Sequence, residues 1–468
     1  RDRHALGRDQ CAVRPGTTAG PARIGFDAPR PDGVPKVTGD FAFSSDLWHA
    51  DMLWGGTLRS PHPSARIRHI DIAPALALTG VHAVLTHEDV PGSLTYGLEH
   101  RDQPVLAADV VRYQGEPVAV VAADHPDVVR RALEAILVDY EPTEPLVDPA
   151  LAEAAPPIHP DGNVIRRIHL RHGDQSAADR PGLVSVEGTY EVGMQDQAFL
   201  GPESGMAVPD GGGGVDLHVA TQWLHVDRDQ VADCLGLSPD EVRITLAGVG
   251  GAFGAREDLS LHVHLCLLAL RTGRPVKMSY SREESFHGHV HRHPARMWYR
   301  HHATPDGDLV RVEARLLFDG GAYASTSAAV LANATCFATG PYRVPSAEVV
   351  GTAVRTDNPP CGAMRGFGAV QTCFAHEAQM DRLADALAMD PVTLRRRNAL
   401  AHGDVLITGQ RITGTLPVAE VLDACAAHPS AAVGPDEPMS RPGGAGRTAD
   451  AADVVRGEAV ALGFKNLM

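Results

Sequence analysis

The alternation of apolar and polar residues divides this chain into short strand-like runs separated by helical ones. In the first part, "MLWGGTLRS", "ARIRHIDI", "VHAVLT" and "EPVAVVAA" read as strands, and "HPDVVRRALEAILVDYE" reads as one helix. A Pro-rich linker over 149–162 follows. Beyond it, "LVSVEGTYEV", "GVDLHVAT", "EVRITLAGV" and "LVRVEARLLFDGGAYAS" carry the strand pattern. Helical patterns cover "HVDRDQVADCLG", the segment after Glu257, and the amphipathic "QTCFAHEAQMDRLADALAMD". The mixture predicts an α+β protein with an irregular leader (1–24), a first unit (25–148) and a second unit (163–427). In 428–454 small and polar residues displace large apolar ones, which predicts a flexible linker. Residues 455–468 then read as the first strand of a further lobe.

Composition narrows the function. With 468 residues, 44% apolar and 21% charged, the chain is globular and long enough for several lobes. A net charge of −16 opposes general binding to nucleic acid or to an anionic membrane. Seven cysteines lie scattered without a C-x-x-C pair, a poor pattern for a zinc site, an iron–sulfur cluster or a disulfide framework, and one that fits a reducing compartment. No apolar run reaches the roughly 18 residues that span a bilayer, and no signal peptide opens the chain, so a cytoplasmic location is expected. The first residue is Arg1 rather than Met, so the natural N-terminus is expected to lie further upstream.

The chemistry concentrates in three stretches of the second unit. "GVGGAFGARED" (248–258) joins a strand to a helix, and "NPPCGAMRGFGAVQ", with Gly366 and Gly368 flanking Phe367, repeats its Phe-Gly device before the long helix. Glycine at such a junction admits positive φ and close approach of backbone N–H groups to a ligand. Gln222 in "ATQWLHVDRD" adds a side-chain amide and Arg365 a cation. Neither loop has G-x-G-x-x-G spacing or a Walker lysine, so a nucleotide phosphate is not the expected guest. His287, His289, His291 and His293 alternate, as metal ligands on a strand face would, but also as a structural strand would. His262 and His264 sit two apart on a predicted helix and cannot share a face.

Together these stretches resemble the molybdenum-cofactor subunit of the xanthine dehydrogenase and aldehyde oxidase family, most nearly the separate molybdenum subunit of bacterial xanthine dehydrogenases. "GVPKVTGDFAFSSDL", "GGTLRSPHPSARI" and "GVHAVLTHEDVPG" resemble its a/b hammerhead domain. "FLGPESGMAVP", "TQWLHVDRDQVADCLGL", "GVGGAFGARED", "DGGAYAS", "TGPYRVP" and "AMRGFGAVQ" follow in the family's order. The resemblance implies a hammerhead domain and then the first mixed α/β molybdenum-cofactor-binding lobe, the second lobe being largely missing.

The same resemblance implies a molybdopterin cofactor, in its plain or cytosine dinucleotide form, whose metal takes no protein side chain. Gln222, Gly251, Phe253, Gly254 and Arg365 are its implied neighbours, with Gln222 and Arg365 also catalytic. Glu257 matches an acidic residue that meets a purine edge, and Phe367 a ring that stacks on the heterocycle. Asn333 stands where the animal enzymes place a substrate-clamping arginine. The family's general-base glutamate belongs to the second lobe and has no counterpart here; Glu203 and Glu257 match binding or structural positions instead. The implied reaction is the hydroxylation of hypoxanthine and xanthine to urate with oxygen from water. Electrons would leave through [2Fe–2S] and FAD partner subunits to NAD in a hetero-oligomer. Aldehydes, other N-heterocycles such as nicotinate, or a catalytically silent cofactor-binding fragment are the alternatives. Carbon monoxide is disfavoured, because Gly366 follows Arg365 without the cysteine that chemistry uses.

Overall fold

The computed structural model describes residues 30–428 and 457–465. The leader and nearly all of the 428–454 linker lie outside the described residues. Two sheets organise the rest. The first has seven strands in the order Val242–Leu246, Val215–Val219, Ser204–Pro209, Val276–Ser279, Leu53–Arg59, Pro117–Ala123 and Val81–Leu85. The second has five, ordered Val184–Val192, Ala295–Ala303, Leu309–Asp319, Ser346–Val354 and Val164–His172. Both are mixed, as the α+β reading predicts.

The seven-stranded sheet crosses from the first sequence unit into the second. Leu53 and Trp54 pair in parallel with Val276 and Lys277, which joins three strands from before residue 124 to four from after 203. The strand Pro117–Ala123 is buried at every residue, so its Val and Ala run reads as continuous rather than alternating. The helix His262–Thr272 lies on this sheet with all of His262 to Ala269 buried, and ends at Gly273, whose φ of 65° supplies the left-handed cap. The second sheet packs its Met297, Tyr299, Leu316 and Phe318 against the helices Ser327–Cys336 and Ala369–Leu387.

Two readings of the sequence change. The stretch "HPDVVRRALEAILVDYE" is not one helix: the helix covers Pro126–Ala135, Ile136 turns extended, and Leu137–Pro142 becomes a strand against Ala65–Asp71. Its β-branched and aromatic residues gain more from that edge than from a further helical turn. Residues 457–465 form no strand; they lie extended on the long helix, with the Leu462 N–H donating to Glu377 Oε2 at 3.0 Å and Phe464 edge-on to Phe337. No helix among the described residues is long and apolar enough to cross a membrane.

Candidate active site

The strands Val215–Val219 and Val242–Leu246 are parallel neighbours, with Val219 opposite Leu246, so both leave the sheet at the same end. One runs into Thr221 and Gln222, the other into the glycine loop. Loops at the carboxyl ends of adjacent parallel strands form a natural binding crevice. Here the Gly254 N–H donates to Gln222 Oε1 at 3.0 Å, and the Gln222 N–H donates to the Arg256 carbonyl at 2.9 Å. The side-chain NH2 of Gln222, which is exposed, has no protein partner among the described residues.

The second Phe-Gly loop comes from the other sheet and meets the first directly. The Arg365 N–H donates to the Phe253 carbonyl at 2.8 Å. A Cβ on Gly254 would stand 2.6 Å from the Ala363 carbonyl oxygen, so only glycine lets the two backbones approach this closely. Phe253 and Phe367 both hold left-handed backbone, φ 54° and 47°, which non-glycine residues seldom adopt. Phe253 is about half exposed, whereas Phe367 leans on the core of the second sheet. A cavity of about 590 Å³ opens between the loops, lined by Gln197, Phe253, Arg292, Met364, Arg365, Gly366, Val370 and Lys465.

Glu257 follows in the same loop, half-buried. Its carboxyl is raised to about 7, first by burial and then by the neighbouring charge of Asp258. It can therefore donate or accept a hydrogen bond near neutrality. Asn333 serves the turn: its amide donates to the Phe367 carbonyl at 2.6 Å, so its NH2 holds the loop rather than reaching outward. Gln222, Gly251, Phe253, Gly254, Glu257, Arg365, Phe367 and Asn333 thus all belong to the two joined loops and their supports.

Three supporting residues escaped the sequence reading. Arg256 is buried and donates to the carbonyls of Gly251 at 2.9 Å, Ala220 at 3.3 Å, and Gly201 and Pro202, while its guanidinium stacks 4.6 Å from the Phe199 ring. Arg292 donates to the Arg365 carbonyl at 2.9 Å, and the Gln197 amide to the Ala363 carbonyl at 2.8 Å. Arg256 lay inside a quoted motif and Arg292 inside the alternating-histidine stretch, where the histidines drew the reading; Gln197 comes from a distant loop that carries no local signal. Glu203 is buried against His289, which overcomes the upward push of burial and keeps its carboxyl below the usual value.

A protein-family model for a molybdopterin cofactor-binding domain matches residues 158–399, and one for the aldehyde oxidase and xanthine dehydrogenase a/b hammerhead domain matches 38–144. The chain belongs to the xanthine dehydrogenase and aldehyde oxidase family of molybdenum hydroxylases. It is 41% identical to the nicotinate dehydrogenase large molybdopterin subunit of Eubacterium barkeri, across 86% of this chain and 95% of that one. It is 38% identical to a probable xanthine dehydrogenase subunit of Bacillus subtilis (strain 168), across 86% of this chain and 54% of that one. The aldehyde oxidoreductase structure from Desulfovibrio gigas superposes with a TM-score of 0.82 at 30% identity, covering 85% of this chain and 46% of that one. The chain therefore spans about half the length of the last two. The hammerhead domain followed by a mixed molybdenum-binding lobe is the architecture expected from the motifs.

The joined loops suit the family's cofactor. Gln222 offers an amide NH2 with no protein partner among the described residues, beside a loop whose glycines bring backbone close, and Arg365 adds an exposed cation at the cavity wall.

Proposed function

We propose that this chain is the cofactor-binding part of a cytoplasmic hydroxylase acting on an N-heteroaromatic ring, with a purine of the hypoxanthine and xanthine type as the favoured substrate. The observation that carries the reading is Glu257, a half-buried carboxyl raised to about 7 that follows Phe253 in the glycine loop, where that loop meets the Arg365 turn. A flat ring with alternating N–H and carbonyl edges satisfies such a group in either protonation state, and an analogue without that edge leaves it unpaired. Molybdopterin would be held by Gln222, the Gly251–Gly254 loop and the Arg365 turn, and when bound it supplies the two-electron chemistry. Each turnover places one oxygen from water on a ring carbon and releases two electrons and two protons.

This chain's own residues bind and orient. Phe253 and Phe367 flank the ring, Glu257 fixes its edge, and Arg365 presents positive charge where the substrate gains negative charge. As the family resemblance implies, the general base is a glutamate of the second lobe, for which no residue of this chain is proposed. The electrons pass to [2Fe–2S] and FAD partner subunits and on to NAD; two relatives are themselves named as subunits, which supports a hetero-oligomer. Nicotinate is the second reading, favoured by the relative named for it and by the Arg292, Arg365 and Lys465 lining, which suits a carboxylate-bearing ring.

The deciding measurement is turnover of hypoxanthine, xanthine, nicotinate and benzaldehyde by the molybdenum-loaded complex. Purine turnover that falls about 10- to 100-fold in kcat/KM on Glu257→Gln, with benzaldehyde little changed, supports the purine reading. Nicotinate turnover without purine turnover replaces it by the second. A loaded complex that oxidises none of the four overturns both.

A further inference from the structure

The alternate histidines do more than continue a strand. His287 ends up in the short helix Arg282–Gly288, and His293 bonds Ser327 Oγ at 2.8 Å. His289 and His291 instead stack on each other in the extended stretch before Ala295–Ala303, with ring centroids 5.2 Å apart. Asp196 reaches them from the loop between Val184–Val192 and Ser204–Pro209. We propose that Asp196, His289 and His291 bind a divalent transition-metal ion of the zinc class.

Distance is the first support. His289 Nε2 and His291 Nε2 lie 3.0 and 3.4 Å from Asp196 Oδ2, and one ligand atom from each of the three residues falls within 4.8 Å of the others. Bonds of about 2.0–2.2 Å to one ion, meeting at right to tetrahedral angles, place their donor atoms about 3.0–3.5 Å apart. Direction is the second. Asp196 Oδ2 makes no aligned hydrogen bond at all, although both nitrogens are close enough. An oxygen that is near an imidazole nitrogen but off its N–H axis is where a ligand sharing an ion with that nitrogen belongs.

Charge and the outer partners agree. Glu203 Oε1 lies 2.9 Å from His289 Nδ1, so two carboxylates converge on one ring, and both are largely buried, at 3% and 13% side-chain exposure. Buried carboxylates need a compensating cation, and a carboxylate on the far ring nitrogen is the usual companion of a metal-bound histidine. His291 faces carbonyls from both nitrogens, Phe286 O at 2.9 Å and Pro360 O at 3.4 Å, while a neutral imidazole has a single N–H to give. An ion on Nε2 leaves Nδ1–H for Pro360 and takes the place of the N–H that meets the Phe286 carbonyl, which would then join the ion's ligands or turn aside. Gln197 Oε1, 3.2 Å from His289 Nε2, offers a fourth oxygen.

The ion would be structural. Gln197 also holds the Ala363 carbonyl, so the site ties the Asp196 loop to the turn that carries Arg365. The test uses the intact complex, stripped with EDTA, given zinc chloride and desalted, with zinc measured by mass spectrometry beside molybdenum. The wild type should retain one zinc per chain, and cobalt loaded in its place should show the visible bands of a four-coordinate centre. His291→Gln and Asp196→Asn, each with a wild-type circular dichroism spectrum, should weaken retention about tenfold or more. A wild type that retains no zinc overturns the proposal, whatever the variants do. So does undiminished retention in both folded variants.

Discussion

Phe253 and Phe367 occupy left-handed backbone at matching places in two loops, and in each case glycine neighbours absorb the remaining curvature. Gly254→Ala puts a methyl group 2.6 Å from the Ala363 carbonyl at a φ of 107°, so the loops must part. The expected result is a loss of about 1–3 kcal/mol in stability and a marked fall in bound molybdenum, read by thermal melting and metal analysis of the same sample. Glu257 gives a pH signature. Raised from 4.5 to about 7, it keeps in the folded state a proton that the unfolded chain has released, so its contribution to stability falls as pH rises through that window. On the proposed reading the same proton faces the substrate's ring edge, and kcat/KM for a purine should inflect near neutrality in the wild type but not in Glu257→Gln. Matching profiles would remove Glu257 from substrate recognition. The pair of Phe-Gly loops was legible in the sequence because positive φ is a local demand with a local signature. Asn333 was not: its helical neighbours give no hint that its amide is committed to Phe367, a contact made by tertiary packing.

At the scale of elements, the site is a knot of loop ends drawn together by buried polar side chains. Arg256 is the clearest case, because it serves carbonyls on the Gly251 loop, the Ala220 strand end and the Gly201 turn at once. Arg256→Met leaves those buried acceptors unpaired, and with about 1–3 kcal/mol for each such group the variant should melt well below the wild type. Arg256→Lys should fail to rescue it, since an ammonium lacks the planar fork that reaches several acceptors. Rescue by lysine in a melting experiment would show that charge, not the fork, is what matters. Helix limits followed sequence signals where a glycine closes the element, as Gly236 and Gly273 do. They failed at Ile136, where the choice between another helical turn and a sheet edge depends on Ala65–Asp71, a partner strand about 70 residues earlier in the chain. Residues 457–465 show the same limit, since their strand-like pattern is used as an extended strap on the long helix.

For the molecule as a whole, the seam between the first and second sequence units is a packed interior. A strand from each side meets at Leu53 and Val276, and the core beneath draws Leu85 and Val120 from one unit and Leu217 and Leu265 from the other. Sequence patterning shows each strand but not which strands pair, because pairing across 200 residues leaves no periodic trace. Beside this seam, Glu116 of the first unit accepts a hydrogen bond from the Tyr323 hydroxyl of the second, and both are buried. Burial raises Glu116 from 4.5 to about 7 against the opposing pull of Tyr323 and of the Arg112 N–H. The folded protein therefore binds a proton there that the unfolded chain gives up between those values, and stability is lost as pH climbs through them. Glu116→Gln keeps an acceptor for Tyr323 and never ionises. Its melting temperature should equal the wild type's near about pH 5 and exceed it near about pH 8, whereas parallel melting curves across that range would show that the seam does not feel the charge on Glu116.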